Sequence, residues 1–122
     1  MEVRVIIMTG EEFVKLCFNE KESILKEYFS VSSRTEVAGR INLLIESGTD
    51  RNELYRLIDL VLSENYYSLL LALDGEASLD GKQECYKLFD ENHNLLNECG
   101  ELEEAAFSFF MEDTYNSIKR KR

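Results

Sequence analysis

Proline is absent from this chain of 122 residues, and histidine occurs only once. The absence of proline fits a mainly helical chain whose turns are built from Gly, Asn and Asp. The three cysteines, Cys17, Cys85 and Cys99, are odd in number and widely spaced, which argues against a disulfide framework and against a zinc site of the Cys-x-x-Cys kind. We therefore expect reduced thiols with a structural role.

Long hydrophobic runs are also lacking. No window holds the roughly 18 consecutive apolar residues that a membrane span needs, and the N-terminus lacks a basic region followed by an apolar stretch and a small-residue cleavage site. The apolar residues, 44% of the total, are spread along the chain, which excludes a disordered or low-complexity sequence. The sequence predicts one cytoplasmic domain over residues 1–122 with no membrane partner.

Positive charge is scarce outside the C-terminus. The net charge is −10, but residues 119–122 are all Lys or Arg, so residues 1–118 hold 10 basic side chains against 24 acidic ones. Such a body repels nucleic acid and anionic membranes and attracts basic proteins. Solubility alone is the other explanation of this charge. For the basic tail at 119–122 we expect disorder or compensation of a helix dipole rather than nucleic-acid binding.

Helix signals begin at Thr9. Residues 9–12 have the form of a capping box, after which apolar residues recur at three- and four-residue spacings over about five turns. Residues 33–36 repeat the capping box and predict a second helix, which ends at Gly48. Asp50 can cap a third helix, with a break expected at Asn65.

Residues 66–73 have no obvious polar face. We interpret them as a buried helical continuation, with a buried strand as the alternative. An alternating pattern then begins: residues 83–89 and 95–99 predict a hairpin around a turn at 90–94, in a register that places Tyr86 opposite Cys99.

The two ends of the chain complete the predicted fold. Residues 3–8 are rich in β-branched side chains and predict either a short first strand or an extension ahead of an alternative start at Met8. A last helix opens at Gly100. The predicted fold class is therefore α+β, mostly helical, with about four helices and a hairpin in the C-terminal half, joined or not by the N-terminal strand.

An acidic, glycine-containing loop follows the apolar run, at residues 74–81. Carboxylates and a hydroxyl alternate before Gly81 as in calcium loops, but the twelfth place counted from Glu76 is Lys87, where a bidentate glutamate is needed. The two Asp-Gly pairs in this loop are typical of turns. We interpret the loop as a turn-forming segment and predict no metal, with a nonstandard divalent site as the alternative.

Catalytic machinery is not evident. His93, the single histidine, lies in the predicted hairpin turn, away from any candidate nucleophile. Carboxylate pairs such as Glu101 with Glu104, or Asp74 with Asp80, arise by chance in an acidic chain. Glycine-rich phosphate-binding motifs and His-Glu-x-x-His are absent. We therefore predict a protein that is not an enzyme and carries no cofactor.

Adjacent aromatic residues occur twice, as Tyr66 with Tyr67 and as Phe109 with Phe110. Neighbours on a helix cannot both face one core, so one member of each pair is a candidate anchor for a partner. The alternative is a helix that is buried on two sides.

Three segments together carry a resemblance: LDGEASL at residues 73–79, YKLFDENHNLL at 86–96 and GELE at 100–103. They resemble small, acidic, uncharacterised bacterial proteins, similar to the immunity proteins that neutralise polymorphic toxins. The resemblance covers about the C-terminal half of the chain, and His93 departs from the glycine expected in that turn. It implies a non-enzymatic inhibitor of another protein and assigns no catalytic residue.

The predicted function is therefore the binding of a basic protein through an acidic surface, as an immunity-type inhibitor would do. The predicted partner-binding residues are Asp74, Glu76, Asp80, Glu101, Glu103, Glu104, Tyr66 and Tyr67. A self-associating structural or regulatory module is the alternative, and a small enzyme dependent on a divalent metal is a third. The sequence leaves open whether the chain is a monomer or a homodimer.

Overall fold

The computed structural model describes residues 8–112, apart from the side chain of Cys99. Four α-helices follow one another along this part of the chain: α1 (Gly10–Tyr28), α2 (Glu36–Glu46), α3 (Arg51–Leu73) and α4 (Glu101–Ala106). A 3₁₀ turn, Glu98–Gly100, leads into α4, and a π-helical turn, Phe107–Met111, continues it. No strand forms within residues 8–112, so the fold is all-helical and the predicted α+β class was wrong.

Side-chain caps fix where the first three helices begin. The side chains of Thr9, Thr35 and Asp50 accept hydrogen bonds from the backbone N–H groups of Glu12, Ala38 and Glu53, at 3.1, 3.2 and 2.9 Å. The caps at Thr9 and Asp50 are those that the sequence predicts. Helix α2 begins later than its predicted capping box, because the Ser33 hydroxyl accepts from the Thr35 N–H at 3.2 Å and forms a turn ahead of the cap.

Glycines in the left-handed region end α2 and α3. Gly48 has φ 108° and Gly75 has φ 79°, a conformation that glycine adopts without steric cost. Each is followed by a backbone N–H that reaches back to the helix, as from Glu76 to the Leu71 carbonyl at 2.9 Å. The predicted break at Asn65 was wrong, because α3 runs without interruption for 23 residues. Residues 66–73 are thus helical, and the strand alternative fails.

The predicted hairpin is reduced to its turn. The turn at 90–94 is present, because the Asp90 carboxylate accepts from the N–H groups of Asn92 and Asn94, each at 2.9 Å. Hydrogen bonds from the side chain and backbone of Asn94 lower the pKa of Asp90. Beyond it only one bridge forms, between Phe89 and Leu95.

A buried amide side chain replaces the rest of the hairpin ladder. The Asn97 amide oxygen accepts from the Leu88 N–H at 2.8 Å, and its nitrogen donates to the carbonyl oxygens of Tyr86 and, at 3.2 Å, Leu73. The Tyr86 N–H also donates to the Leu73 carbonyl, at 3.0 Å. The segment therefore pairs with the C-terminal end of α3 instead of with a returning strand. The expected pairing of Tyr86 with Cys99 was wrong, since Cys99 lies in the 3₁₀ turn.

The core lies where the first half of α1, the second half of α3 and α4 meet. Its buried members are Val14, Leu70, Leu102, Ala105, Ala106 and Phe110. Aromatic rings surround it: Tyr66 stacks on Phe110 with centroids 5.7 Å apart, and Phe18 meets Phe110 edge to face at 5.5 Å. Burial of a side chain such as Phe110 contributes about 1.5–3 kcal/mol. These contacts hold α4 against α1 and α3.

A buried lysine links α1 to the middle of α3. The Lys21 ammonium lies 2.7 Å from Asp59 and 3.0 Å from Glu22, over the ring of Phe18. Burial alone lowers the pKa of Lys21, but the hydrogen bonds and charges of Asp59 and Glu22 outweigh it and leave the pKa raised. The lysine is therefore charged at neutral pH, and its pairing compensates for the loss of water.

Two parts of the predicted organisation fall on the ends of the chain. The predicted strand at residues 3–8 lies, except for Met8, outside the described residues, as does the basic tail at 119–122. Among the helices of the described residues, none has the length and apolar character that crossing a membrane requires.

Candidate functional site

An open cleft of about 660 Å³ lies between the end of α3, the segment that follows it and the start of α4. The cleft is lined by Tyr67, Asp74, Glu76, Cys85, Asn97, Gly100, Glu103, Glu104 and Phe107. We call it the acidic cleft, because four of these side chains are carboxylates and none of them is a lysine or an arginine.

Asp74 holds the two sides of the acidic cleft together. It follows the last residue of α3, and its Oδ2 accepts from the Glu103 N–H at 2.8 Å. It thereby caps α4 from a distance, because the residue before α4 is Gly100, which has no side chain. The residue is only 8% exposed, and its second carboxylate oxygen, Oδ1, is buried with no hydrogen-bond partner among the described residues.

Helix α4 adds two more carboxylates to the cleft. Its first turn contains Glu101, Glu103 and Glu104, and negative charge is favoured near the positive end of a helix. Glu103 and Glu104 line the acidic cleft. Glu101 is engaged elsewhere, since its Oε1 accepts from the Gly10 N–H at 3.0 Å and so ties α4 to the start of α1.

The negative charge of the acidic cleft is not balanced by ion pairs. Within residues 8–112, the ion pairs join Lys21 to Asp59 and Glu22, Arg40 to Glu36, and Arg56 to Glu53, and none includes a carboxylate of the cleft. Burial, and then the charge of Glu103, raise the pKa of the Tyr67 phenol. Tyr67 is therefore a neutral hydroxyl and ring in the wall of a negatively charged site.

The structure brings together five of the eight predicted site residues. Tyr67, Asp74, Glu76, Glu103 and Glu104 all line the acidic cleft.

The other three predicted residues lie elsewhere. Tyr66 packs in the core, and Glu101 binds Gly10. Asp80, with φ 50°, and Gly81, with φ 76°, form a tight turn in which Leu79 and Lys82 exchange backbone hydrogen bonds of 2.9 Å.

Cys85, Asn97 and Phe107 line the cleft and were not predicted as site residues. A signal was available for Asn97, an amide directly after two leucines. Cys85 is an exposed free thiol, whereas burial raises the pKa of Cys17 and keeps it a protonated thiol. No signal in the sequence marked Cys85 or Phe107.

The donor set does not fit a metal centre. In the part of the chain that the structure describes, no three His, Cys, Asp or Glu side chains are placed so that they could hold a metal ion. The cleft combines carboxylates with the aromatic rings of Tyr67 and Phe107, which is a chemical lining suited to an organic cation.

Comparison of the chain with protein-family models, with curated proteins and with solved structures found no match in any of the three. The resemblance of residues 73–103 to immunity proteins therefore stays a prediction, and function is argued from the cleft.

Proposed function

We propose that this chain is a non-enzymatic binding domain that holds a basic protein partner at the acidic cleft, as an immunity-type inhibitor. The observation that carries the proposal is the set of four carboxylates, Asp74, Glu76, Glu103 and Glu104, which line one cleft without an ion pair among the described residues. Uncompensated charge of one sign in a concave site attracts a partner of the opposite sign and orients it.

The net charge of the chain supports the same function. A charge of −10 on 122 residues creates a field that reaches a basic partner before contact, and the acidic cleft supplies the local target. Association should be fast at low salt and should slow as salt screens the field.

The test compares two double variants that remove the same charge. Glu76→Gln with Glu104→Gln neutralises two exposed carboxylates of the cleft, and Glu46→Gln with Glu91→Gln neutralises two exposed carboxylates outside it. Each variant and the wild type serve as bait for proteins of the native host at low salt, and association rates are then measured with the captured partner.

We expect a basic protein to be retained by the wild type and by the control variant. The cleft variant should associate roughly three- to tenfold more slowly at low salt. Electrostatic steering by a whole protein raises association rates by about 10–10³-fold, and two charges account for only a fraction of that effect. Equal association rates for both variants, or a captured partner that is acidic, would refute the proposal.

Self-association is a second candidate, and exposed apolar side chains favour it. Leu57 and Val61, one turn apart on α3, are 56% and 54% exposed, and Leu43 on α2 is 60% exposed. In each predicted aromatic pair one member packs in or against the core, as Tyr66 and Phe110 do, while the other, Tyr67 or Phe109, is partly buried. A salt-insensitive dimer in sedimentation, abolished by Leu57→Asp, would support this candidate, and a monomer at all concentrations would exclude it.

A further inference from the structure

The unpaired oxygen of Asp74 sets the acidic cleft apart from an ordinary acidic surface. Buried carboxylate oxygens normally have hydrogen-bond partners, because burial without one is costly. Asp74 Oδ2 is paired with the Glu103 N–H, but Oδ1 has no partner within residues 8–112. Because Asp74 lines the cleft, this oxygen lies beneath the surface of the cleft without a partner among the described residues.

We infer that the acidic cleft receives the guanidinium group of an arginine side chain from the basic partner. This inference rests on the proposed function and specifies the chemistry of the contact. A guanidinium is planar and presents five N–H donors, so it can bond several carboxylates while stacking on a ring. The cleft offers both surfaces, with carboxylates from Asp74, Glu76 and Glu103 and the ring of Tyr67.

Other occupants fit less well. A lysine ammonium is a compact, strongly hydrated point charge, so it lacks the flat face with which a guanidinium stacks on a ring and the fork that bonds carboxylates in pairs. For a metal ion, residues 8–112 provide no set of three side chains placed to act as ligands. A single water takes about 30 Å³, whereas the cleft measures about 660 Å³, which is enough room for a long side chain.

The first experiment titrates the chain with N-acetyl-argininamide and, in parallel, N-acetyl-lysinamide, which each carry one side-chain charge. Amide chemical shifts report binding, and the Glu103 N–H is the sensitive probe because it is bonded to Asp74. We expect saturable shifts at Glu103 and Gly100, with the arginine probe binding roughly two- to fivefold more tightly through ring stacking. Equal binding of the two probes, or no shift at these amides, would overturn the inference.

Variants then locate the contact. Asp74→Asn keeps an oxygen that can accept from the Glu103 N–H but removes the charge, so we expect the arginine probe to bind at least about fivefold more weakly, in line with loss of a charge-assisted hydrogen bond. Tyr67→Leu removes the ring that lines the cleft and should reduce the preference for arginine over lysine. Glu91→Gln, outside the cleft, should change neither the affinity for the arginine probe nor the preference for arginine over lysine.

Loss of folding is controlled in the same spectra. If Asp74→Asn collapses the chemical-shift dispersion of the α4 amides, the variant has lost its fold there. The double variant Glu76→Gln with Glu104→Gln then replaces it, because both side chains are exposed and line the cleft. Unchanged arginine binding in that double variant counts against the inference.

The failures of the two proposals can be told apart. If a basic partner binds at the cleft but the arginine probe binds no more tightly than the lysine probe, the arginine assignment is overturned and the proposed function stands. Selective binding of the arginine probe without any basic partner would overturn the proposed function, while the preference of the cleft for a guanidinium group would still hold.

Discussion

Replacing glycine by alanine at two helical positions should change stability in opposite directions. Gly10 is the first residue of α1 and is buried. A Cβ there would overlap the backbone carbonyl oxygen of Leu96 and approach Cγ and Cδ of Glu101 to 2.9 Å. The Glu101 side chain can rotate, but the Leu96 carbonyl can move only with its backbone.

The expected cost of Gly10→Ala follows from these contacts. Overpacking of a tight site costs about 1–3 kcal/mol. Displacement of Glu101 would also weaken its bond to the Gly10 N–H, and a hydrogen bond to a charged group contributes about 1.5–3 kcal/mol. The gain in helix propensity from alanine is at most about 1 kcal/mol, so we expect Gly10→Ala to destabilise the chain by about 2 kcal/mol or more.

Gly39→Ala is the matched control. Gly39 lies inside α2, and a Cβ there would meet nothing within 4 Å. The same substitution should therefore stabilise the chain by about 0.5–1 kcal/mol, because only the propensity term remains.

Urea unfolding followed by circular dichroism gives the stability of both variants. The comparison requires that the slope of the unfolding free energy against urea concentration is unchanged in each variant. If both substitutions stabilise the chain by the same amount, the packing of α1 against Leu96 is refuted. A second substitution separates the two contacts at Gly10. If Gly10→Ala is rescued by Glu101→Ala, the side chain is the obstacle, and if it is not rescued, the carbonyl is.

Two further predictions concern buried polar side chains. Asn97→Asp replaces the donors to Leu73 and Tyr86 by oxygens, and we expect a loss of about 2–4 kcal/mol in urea unfolding; a loss below about 1 kcal/mol would contradict the bonding described. Lys21→Met removes the pair with Asp59 and should cost about 1.5–3 kcal/mol at neutral pH. Because the pKa of Lys21 is raised in the folded state, this contribution is complete below about pH 10.4 and is lost as pH rises through the higher folded value. The stability difference between wild type and Lys21→Met should therefore shrink at alkaline pH, and a constant difference would contradict the pairing.

The helices could be predicted because their signals are local. The caps at Thr9 and Asp50 bond an N–H three residues ahead, and Gly48 and Gly75 end helices through their own backbone angles. Asn65 does not break α3, because an exposed asparagine costs too little to interrupt a helix that packing stabilises on both sides of it.

The hairpin could not be predicted correctly because its partners are distant. The alternating pattern of residues 83–89 indicates an extended chain, but it does not say what the chain pairs with. The Tyr86 N–H bonds the end of α3 instead, and the Asn97 amide reaches Leu73, 24 residues away. A helix end has unsatisfied carbonyls, and here they compete successfully with a strand.

The acidic cleft was predictable in its charge but not in its assembly. Asp74 and Glu103 are 29 residues apart, and only the fold reveals that one caps the other. Asp74 therefore has two parts, because one carboxylate oxygen joins α3 to α4 and the other has no partner in the part of the chain that the structure describes. A cation in the cleft would favour the arrangement in which the Asp74 carboxylate is bonded to the Glu103 N–H. Binding should thus stabilise the junction of the two helices, since a ligand that binds only the folded state raises its stability.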